Sequence, residues 1–138
     1  MNKQTSTLPT RSLGTTGMTI TRVGFGAWAI GGGGWSFAWG SQDDEASLAA
    51  MRRAIECGVN WIDTAAVYGL GHSETLVGRL LRDYPAGDRP FVFTKCGLVW
   101  NEQEPMTQSL RIGEPASLRR GVEQSLTRLG VDQIDLYQ

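Results

Sequence analysis

Three side chains of this sequence have types and spacing that could support acid/base chemistry: Asp63, Tyr68 and Lys95. Asp63 ends the segment 59–62, which is typical of a buried strand, and Tyr68 follows five residues later in a Gly-rich loop. Ligands of α/β proteins bind at the carboxyl ends of the strands, so this Asp and Tyr form a candidate acid/base pair. In the alternative interpretation the Asp caps a turn and the Tyr packs at a rim. The spacing alone favours that alternative.

The composition is that of an ordinary globular protein. The chain has 138 residues, of which 41% are apolar, and its net charge of −1 gives no reason to expect a nucleic acid partner. It contains no run of 18 apolar residues, and its first residues lack the apolar core of a signal peptide. We therefore expect a cytoplasmic protein with no membrane insertion, in which residues 1–9 form a flexible tail.

The sequence gives no indication of a metal site or a disulfide framework. Its two cysteines, Cys57 and Cys96, have no metal-ligand spacing, and a single histidine, His72, cannot form a metal site by itself. We expect both thiols to be reduced and no metal to be bound.

The order of predicted elements is a small hairpin followed by alternating strands and helices. Gly14-Thr-Thr-Gly17 predicts the hairpin turn, and the segments 22–28, 60–64, 91–95 and 131–138 read as strands. One helix is predicted to begin at 41–44 and end at Gly58, a second to be capped by Ser73, and a third to run from Pro115 to Gly130. This alternation predicts parallel strands joined by crossovers. The connection 96–113 is long enough to be functional or disordered.

Two α/β architectures compete for this pattern. Gly24-Phe-Gly26-Ala-Trp-Ala29 matches a dinucleotide-binding fingerprint. The fingerprint requires a helix at this point, but a flexible loop rich in Gly and Trp, residues 29–41 (the Gly/Trp loop), follows instead. A (β/α)8 barrel explains more, because it gathers functional residues from successive strand ends on one face. The alternation of side chains along a strand, here called strand parity, agrees with a barrel. It puts Trp61 on the same face as Asp63, and Phe93 on the same face as Lys95.

Several short motifs also occur in a characteristic order along almost the whole chain. They are Leu13-Gly-Thr-Thr-Gly-Met18, Val23-Gly-Phe-Gly-Ala-Trp28, Trp61-Ile-Asp-Thr-Ala-Ala-Val-Tyr-Gly69, Ser73-Glu74, Val77-Gly78, Thr94-Lys95 and Ile134-Asp-Leu-Tyr-Gln138. In these motifs the chain resembles the amino-terminal half of an aldo-keto reductase, and is most similar to the bacterial and channel-subunit-like branch. The resemblance implies a TIM barrel, of which residues 1–138 form the hairpin and about the first four β/α units.

The resemblance also implies an activity, which is the NADPH-dependent reduction of an aldehyde or ketone to an alcohol. According to this resemblance, Tyr68 is the proton donor, Lys95 makes its phenol a stronger acid, and Asp63 pairs with Lys95. This arrangement is chemically reasonable, because an ammonium group stabilises phenolate and a buried ammonium needs a counter-charge. Gly26, Ala27 and Trp28, together with Asp63, correspond to the cofactor-binding strand ends.

The resemblance implies that the substrate is a small-molecule carbonyl compound, and its pocket is predicted to include Trp28, Trp35 and Trp100. The same tryptophans could instead cover the top of the barrel, and the sequence does not separate these two interpretations. A non-catalytic cofactor-binding or regulatory subunit is the alternative function, although an intact set of Asp63, Tyr68 and Lys95 favours the enzyme.

One departure from the family pattern concerns the fourth strand. In the family this strand leads into a histidine of the active site, whereas this sequence stops at Gln138, two residues earlier. The later strands, which supply most cofactor contacts, are also absent. We therefore expect the 138-residue chain alone to be inactive and to self-associate through its open sheet. By strand parity, Asp63 is expected to point inward and Asp135 outward.

Overall fold

A computed structural model describes residues 8–138 and shows a parallel sheet covered on one face by helices. The predicted tail falls mainly on residues 1–7, which lie outside the described residues. The strands are β1 Thr10–Ser12, β2 Thr19–Thr21, β3 Phe25–Gly26, β4 Trp61–Asp63, β5 Phe91–Thr94, β6 Leu98–Val99, β7 Leu110–Arg111 and β8 Leu136–Tyr137. Strands β1 and β2 form the predicted antiparallel hairpin. Strands β3, β4, β5 and β8 lie side by side in that order, and all are parallel.

All four sheet strands are shorter than the sequence predicts, and β3 and β8 differ most. β3 ends before Trp28, because Trp28 has helical backbone angles (φ −63°, ψ −50°) that turn the chain out of the sheet. β8 begins only at Leu136, and just before it the Asp135 carboxylate accepts a hydrogen bond from the Val92 backbone N–H at 2.8 Å. At that point a side-chain carboxylate, and not a backbone carbonyl of the neighbouring strand, accepts the hydrogen bond from β5.

Three helices follow the sheet strands: α1 Asp44–Glu56, α2 His72–Leu81 and α3 Pro115–Leu129. The Asp43 side chain caps α1 by accepting from the Ala46 N–H at 2.7 Å, as the acidic start of this helix predicts. Gly130 ends α3 with a left-handed φ of +65°, which also agrees with the sequence. The predicted Ser73 cap of α2 is wrong. Gly71 precedes that helix, and Ser73 lies inside its first turn.

The main core lies between the sheet and the three helices. Ile62 and Val92 contribute the sheet side and are at most 3% exposed. The helices contribute a fully buried set of apolar side chains, which comprises Leu48, Met51, Leu76, Val77, Leu80, Leu81 and Leu129. Burial of this apolar surface supplies the main driving force for folding. Because side chains alternate along strands, the residues flanking Ile62 and Val92 must face away from the helices.

The opposite face of the sheet carries the residues that parity assigned to it. The Trp61 and Phe93 rings are in contact there, with centroids 5.2 Å apart. Asp63 lies on this face with Gln138, whose side-chain amide donates to Asp63 Oδ1 at 3.3 Å. Asp135 is exposed, and its carboxylate accepts from the backbone of β5 rather than from the helix layer that we expected.

The long connection 96–113 is an ordered hairpin formed by β6 and β7. Its strands are only two residues long, so they show no alternating pattern in the sequence. The hairpin begins directly after Lys95 and lies beside the carboxyl end of β5. Within the described residues, no helix is both long and apolar enough to cross a bilayer.

Candidate active site

Asp63 and Lys95 form an ion pair at the carboxyl ends of β4 and β5. Lys95 Nζ donates to Asp63 Oδ2 at 2.7 Å and to the Thr64 carbonyl at 2.9 Å. Both side chains are about one-third exposed, at 33% for Lys95 and 31% for Asp63. Two fixed acceptors therefore hold the ammonium group in one position at the open end of the sheet.

Tyr68 lies next to this pair, in the loop between β4 and α2. Lys95 Nζ is 5.2 Å from the centre of the Tyr68 ring, which is within the range of a cation–π contact. The Trp28 ring stacks on Tyr68 with an interplanar angle of 4° and a centroid distance of 5.6 Å. The structure thus brings together all three residues that the sequence selected for acid/base chemistry, and it adds Trp28.

A cavity of about 330 Å³ opens beside Tyr68 and Lys95. Its lining is mainly apolar and aromatic, and comprises Trp28, Trp35, Phe37, Ala65, Val67, Tyr68, Lys95, Cys96 and Leu98. Trp28 and Trp35, which the sequence selected as pocket residues, both line this cavity. Phe37 also lines it and was not selected from the sequence. It lies two residues beyond Trp35 in the same Gly/Trp loop.

Trp100 is outside this lining. It packs against the group formed by Trp35, Ala65 and Val67, and it borders a smaller cavity of about 170 Å³ on the other side of Lys95. The Arg128 guanidinium carbon lies 5.9 Å from the centre of the Trp100 ring. In this structure Trp100 supports the wall of the larger cavity from behind.

The predicted cofactor residues at the end of β3 have different surroundings. Gly26 is exposed, and a Cβ placed on it would meet no atom within 4 Å. The open space above it adjoins Asp63, with which it is paired in the sheet. Ala27, by contrast, is fully buried in the main core, and its N–H donates to the Asp63 carbonyl at 2.8 Å. Gly26 and Trp28 therefore border the site, whereas the Ala27 side chain does not.

A buried polar layer beneath the site was not found from the sequence. Glu74 is fully buried, and its carboxylate accepts from Arg128 Nε and from Thr94 Oγ1, both at 2.6 Å. Ser73 is also fully buried, and its hydroxyl donates to the Ala27 carbonyl at 2.8 Å. The Ser73-Glu74 pair within the family motif was the only signal that pointed to this layer.

The described part of the chain holds no group of three or more His, Cys, Asp or Glu side chains placed to bind a metal ion. The single histidine, His72, contacts Asp44 with Nε2 2.8 Å from Oδ1, and so links the first turns of α2 and α1. Cys57 and Cys96 are both free thiols.

Comparison with known proteins decides the family. The sequence profile of the aldo/keto reductase family matches residues 22–138. This chain belongs to the aldo/keto reductase family. The chain is 41% identical over 134 residues to the NADH-specific methylglyoxal reductase of Escherichia coli, with 91% of this chain and 39% of that protein covered.

Solved structures of aldo-keto reductases match the fold. The glycerol dehydrogenase of Gluconobacter oxydans is 43% identical with a TM-score of 0.79, covering 94% of this chain and 38% of that chain. An aldo-keto reductase of Klebsiella pneumoniae in complex with NADPH is 28% identical with a TM-score of 0.62, covering 86% of this chain and 34% of that chain.

The fold prediction is confirmed by these matches. The family's structures are (β/α)8 barrels, and the hairpin and four parallel strands seen here correspond to the amino-terminal part of one. The chain spans about two-fifths of the length of the relatives that it matches.

Proposed function

We propose that this chain contributes the acid/base site of a reductase that uses NADPH to convert an aldehyde or ketone to an alcohol. The observation that carries the proposal is the position of Lys95, whose Nζ lies between the Asp63 carboxylate at 2.7 Å and the Tyr68 ring at 5.2 Å. A non-catalytic scaffold does not require an ammonium group fixed beside a phenol. Membership of a family whose named relatives are reductases and dehydrogenases supports the same assignment.

Carbonyl reduction requires a proton for the oxygen that becomes the alcohol. In the proposed reaction Tyr68 gives this proton, and the phenolate that remains is stabilised by the Lys95 ammonium. Asp63 and the Thr64 carbonyl hold the ammonium in place, so little reorganisation is needed when the phenolate forms. A bound nicotinamide coenzyme would supply the hydride to the carbonyl carbon.

The residues at the end of β3 fit such a coenzyme. Gly26 leaves open space beside Asp63, where a larger side chain would occupy the volume needed by a flat ring. Support for NADPH comes from the family resemblance and from the Klebsiella pneumoniae relative solved with NADPH. The Escherichia coli relative is named as NADH-specific, so the choice between the two coenzymes requires a direct test.

The cavity lining indicates the substrate class. Aromatic and aliphatic side chains make up most of the wall, including Trp28, Trp35 and Phe37, and polar groups converge only near Tyr68 and Lys95. We therefore propose a small carbonyl compound with an apolar body and its oxygen at Tyr68. Trp100 contributes indirectly, by packing against the cluster of Trp35, Ala65 and Val67 that lines the cavity. We also propose a cytoplasmic location for the protein.

The function is tested in a full-length barrel that carries residues 1–138, completed where necessary with the carboxyl-terminal part of the Escherichia coli relative. Oxidation of NADPH and of NADH is followed by absorbance with a series of aldehydes and ketones of increasing apolar size. We expect carbonyl-dependent oxidation. The preference for NADPH is measured in the natural full-length protein, because the later strands supply most cofactor contacts and the Escherichia coli relative is named as NADH-specific. The unmodified Escherichia coli enzyme is the positive control. A folded barrel that binds coenzyme but reduces no carbonyl compound would support the regulatory alternative instead.

A separate prediction concerns the 138-residue chain by itself. In residues 8–138, β3 and β8 are the two edges of the four-stranded sheet. Unpaired strand edges favour association. We expect size-exclusion chromatography to show dimers or larger species, and coenzyme fluorescence to show no binding at micromolar concentrations. A monomer that binds NADPH at micromolar concentration would contradict this prediction.

A further inference from the structure

We propose that Ser73 is a positioning residue for the reductase chemistry, acting through the backbone segments that carry Trp28, Tyr68 and the Lys95 contact. The inference rests on the proposed function and concerns a residue that touches neither the cavity nor the reacting atoms. Ser73 is fully buried in the first turn of α2.

Three hydrogen bonds connect Ser73 to different segments near the site. Its hydroxyl donates to the Ala27 carbonyl at 2.8 Å and lies 2.9 Å from Thr64 Oγ1. Its backbone N–H donates to the Tyr68 carbonyl at 3.1 Å. One residue of α2 is thus bonded to the end of β3, to the end of β4 and to the Tyr68 loop.

The proton of the Ser73 hydroxyl fixes the direction of these bonds. A hydroxyl has one proton to donate, and the Ala27 carbonyl can only accept, so the Ser73 proton lies toward Ala27. Thr64 must then donate its own proton to the Ser73 oxygen. The hydroxyl is used as a donor and as an acceptor at once, inside a region closed to water, and removing it leaves two buried groups without these bonds.

Each of the three partners is adjacent to a residue of the proposed site. Ala27 precedes Trp28, whose ring stacks on Tyr68. The backbone carbonyl of Thr64 accepts from Lys95 Nζ at 2.9 Å. The third partner is the carbonyl of Tyr68 itself. Loss of the hydroxyl frees the Trp28 and Thr64 segments to move relative to Tyr68, and small displacements of catalytic groups reduce turnover more than they reduce binding.

The test is Ser73→Ala, with Ser125→Ala as the matched control. Ser125 is a fully buried helical serine of α3, and its hydroxyl has no hydrogen-bond partner among the described residues. In the full-length barrel described above, we expect Ser73→Ala to lower kcat about 10-fold to 100-fold, with the Kd for coenzyme changed less than about twofold. Ser125→Ala should leave kcat unchanged. Activity is expressed per folded enzyme, so that a loss of stability alone does not appear as a loss of kcat.

Two further substitutions separate positioning from a general structural effect. Thr64→Val removes the hydrogen bond between Thr64 and Ser73, which Ser73→Ala also removes. The effects of the two substitutions should therefore be less than additive in the double variant. In a Tyr68→Phe background, Ser73→Ala should reduce the residual rate no further. An unchanged kcat for folded Ser73→Ala, or full additivity with Tyr68→Phe, overturns the proposal.

A second measurement on the same full-length barrel does not depend on activity. Near-ultraviolet circular dichroism detects the stacked Trp28 and Tyr68 rings, and the part of the signal lost in Trp28→Phe identifies their contribution. Ser73→Ala should lose most of that contribution, whereas Ser125→Ala should keep it. If Ser73→Ala keeps the signal, Ser73 does not position the pair. An inactive wild-type barrel together with loss of the signal would refute the proposed function and leave the positioning role supported.

Discussion

Replacement of Tyr68 with phenylalanine is expected to abolish most carbonyl reduction in a full-length barrel that carries residues 1–138. The variant keeps the ring that stacks on Trp28 and lies 5.2 Å from Lys95 Nζ, and loses only the hydroxyl. A positioned general acid typically contributes about 100-fold to 10,000-fold to the rate. We therefore expect kcat to fall by at least about 100-fold, measured by NADPH oxidation under saturating substrate.

Coenzyme binding provides the internal comparison for this variant. Titration of NADPH fluorescence should give a Kd within about twofold of the wild type, because the phenolic proton is needed only in the chemical step. Tyr84→Phe is the matched control. Tyr84 packs against the main core, outside the site, so this change should leave kcat unaltered. Near wild-type turnover of Tyr68→Phe would show that Tyr68 lies at the rim and transfers no proton.

The largest effect on stability is expected for Glu74→Gln. Glu74 is completely buried, and it pairs with Arg128, whose side chain is only 20% exposed. Removing one member of a buried ion pair leaves the other charge uncompensated and typically costs about 3–5 kcal/mol. Since small domains are stable by only about 5–15 kcal/mol, this loss removes much of the total. Urea unfolding of the full-length barrel, followed by far-ultraviolet circular dichroism, measures it.

Glu45→Gln is the control for this prediction. Glu45 pairs with Arg79 at the same distance of 2.6 Å, but the two side chains are 73% and 37% exposed. Exposed pairs contribute at most about 1 kcal/mol, so the control should unfold near the wild-type urea concentration. A double replacement, Glu74→Leu with Arg128→Met, should restore part of the stability lost in Glu74→Gln, since no unpaired charge remains. Equal effects of Glu74→Gln and Glu45→Gln would contradict the buried-pair argument.

Local signals in the sequence were sufficient for most of the helix ends. Asp43, Pro115 and Gly130 act through neighbours within a few residues, and each has the role in the structure that its type predicts. Ser73 failed as a cap because its hydroxyl bonds to Ala27, 46 positions away in the sequence. A sequence pattern cannot show that a distant carbonyl competes for the same hydroxyl.

In the site, too, positions along the strands could be predicted, whereas contacts between residues far apart in the sequence could not. Strand parity and position were enough to bring Asp63 and Lys95 to one end of the sheet, because the carboxyl ends of adjacent parallel strands meet there. The layer beneath could not be predicted in this way. Glu74 is bonded to Arg128, 54 positions along the chain, and this contact depends on how α2 and α3 pack together. The β6–β7 hairpin was missed because its strands are too short to have a periodicity.

The close contact between two glycines limits how the mouth of the cavity can be redesigned. A Cβ placed on Gly31 would lie 2.7 Å from the Gly69 nitrogen, so the Gly/Trp loop and the Tyr68 loop touch backbone to backbone. Trp35, further along the first loop, is only 3% exposed and is also held in place. Exchange of this whole loop for that of another protein would therefore shift Tyr68 as well. Changes of substrate preference are better sought by replacing Phe37, which lines the cavity and is 45% exposed.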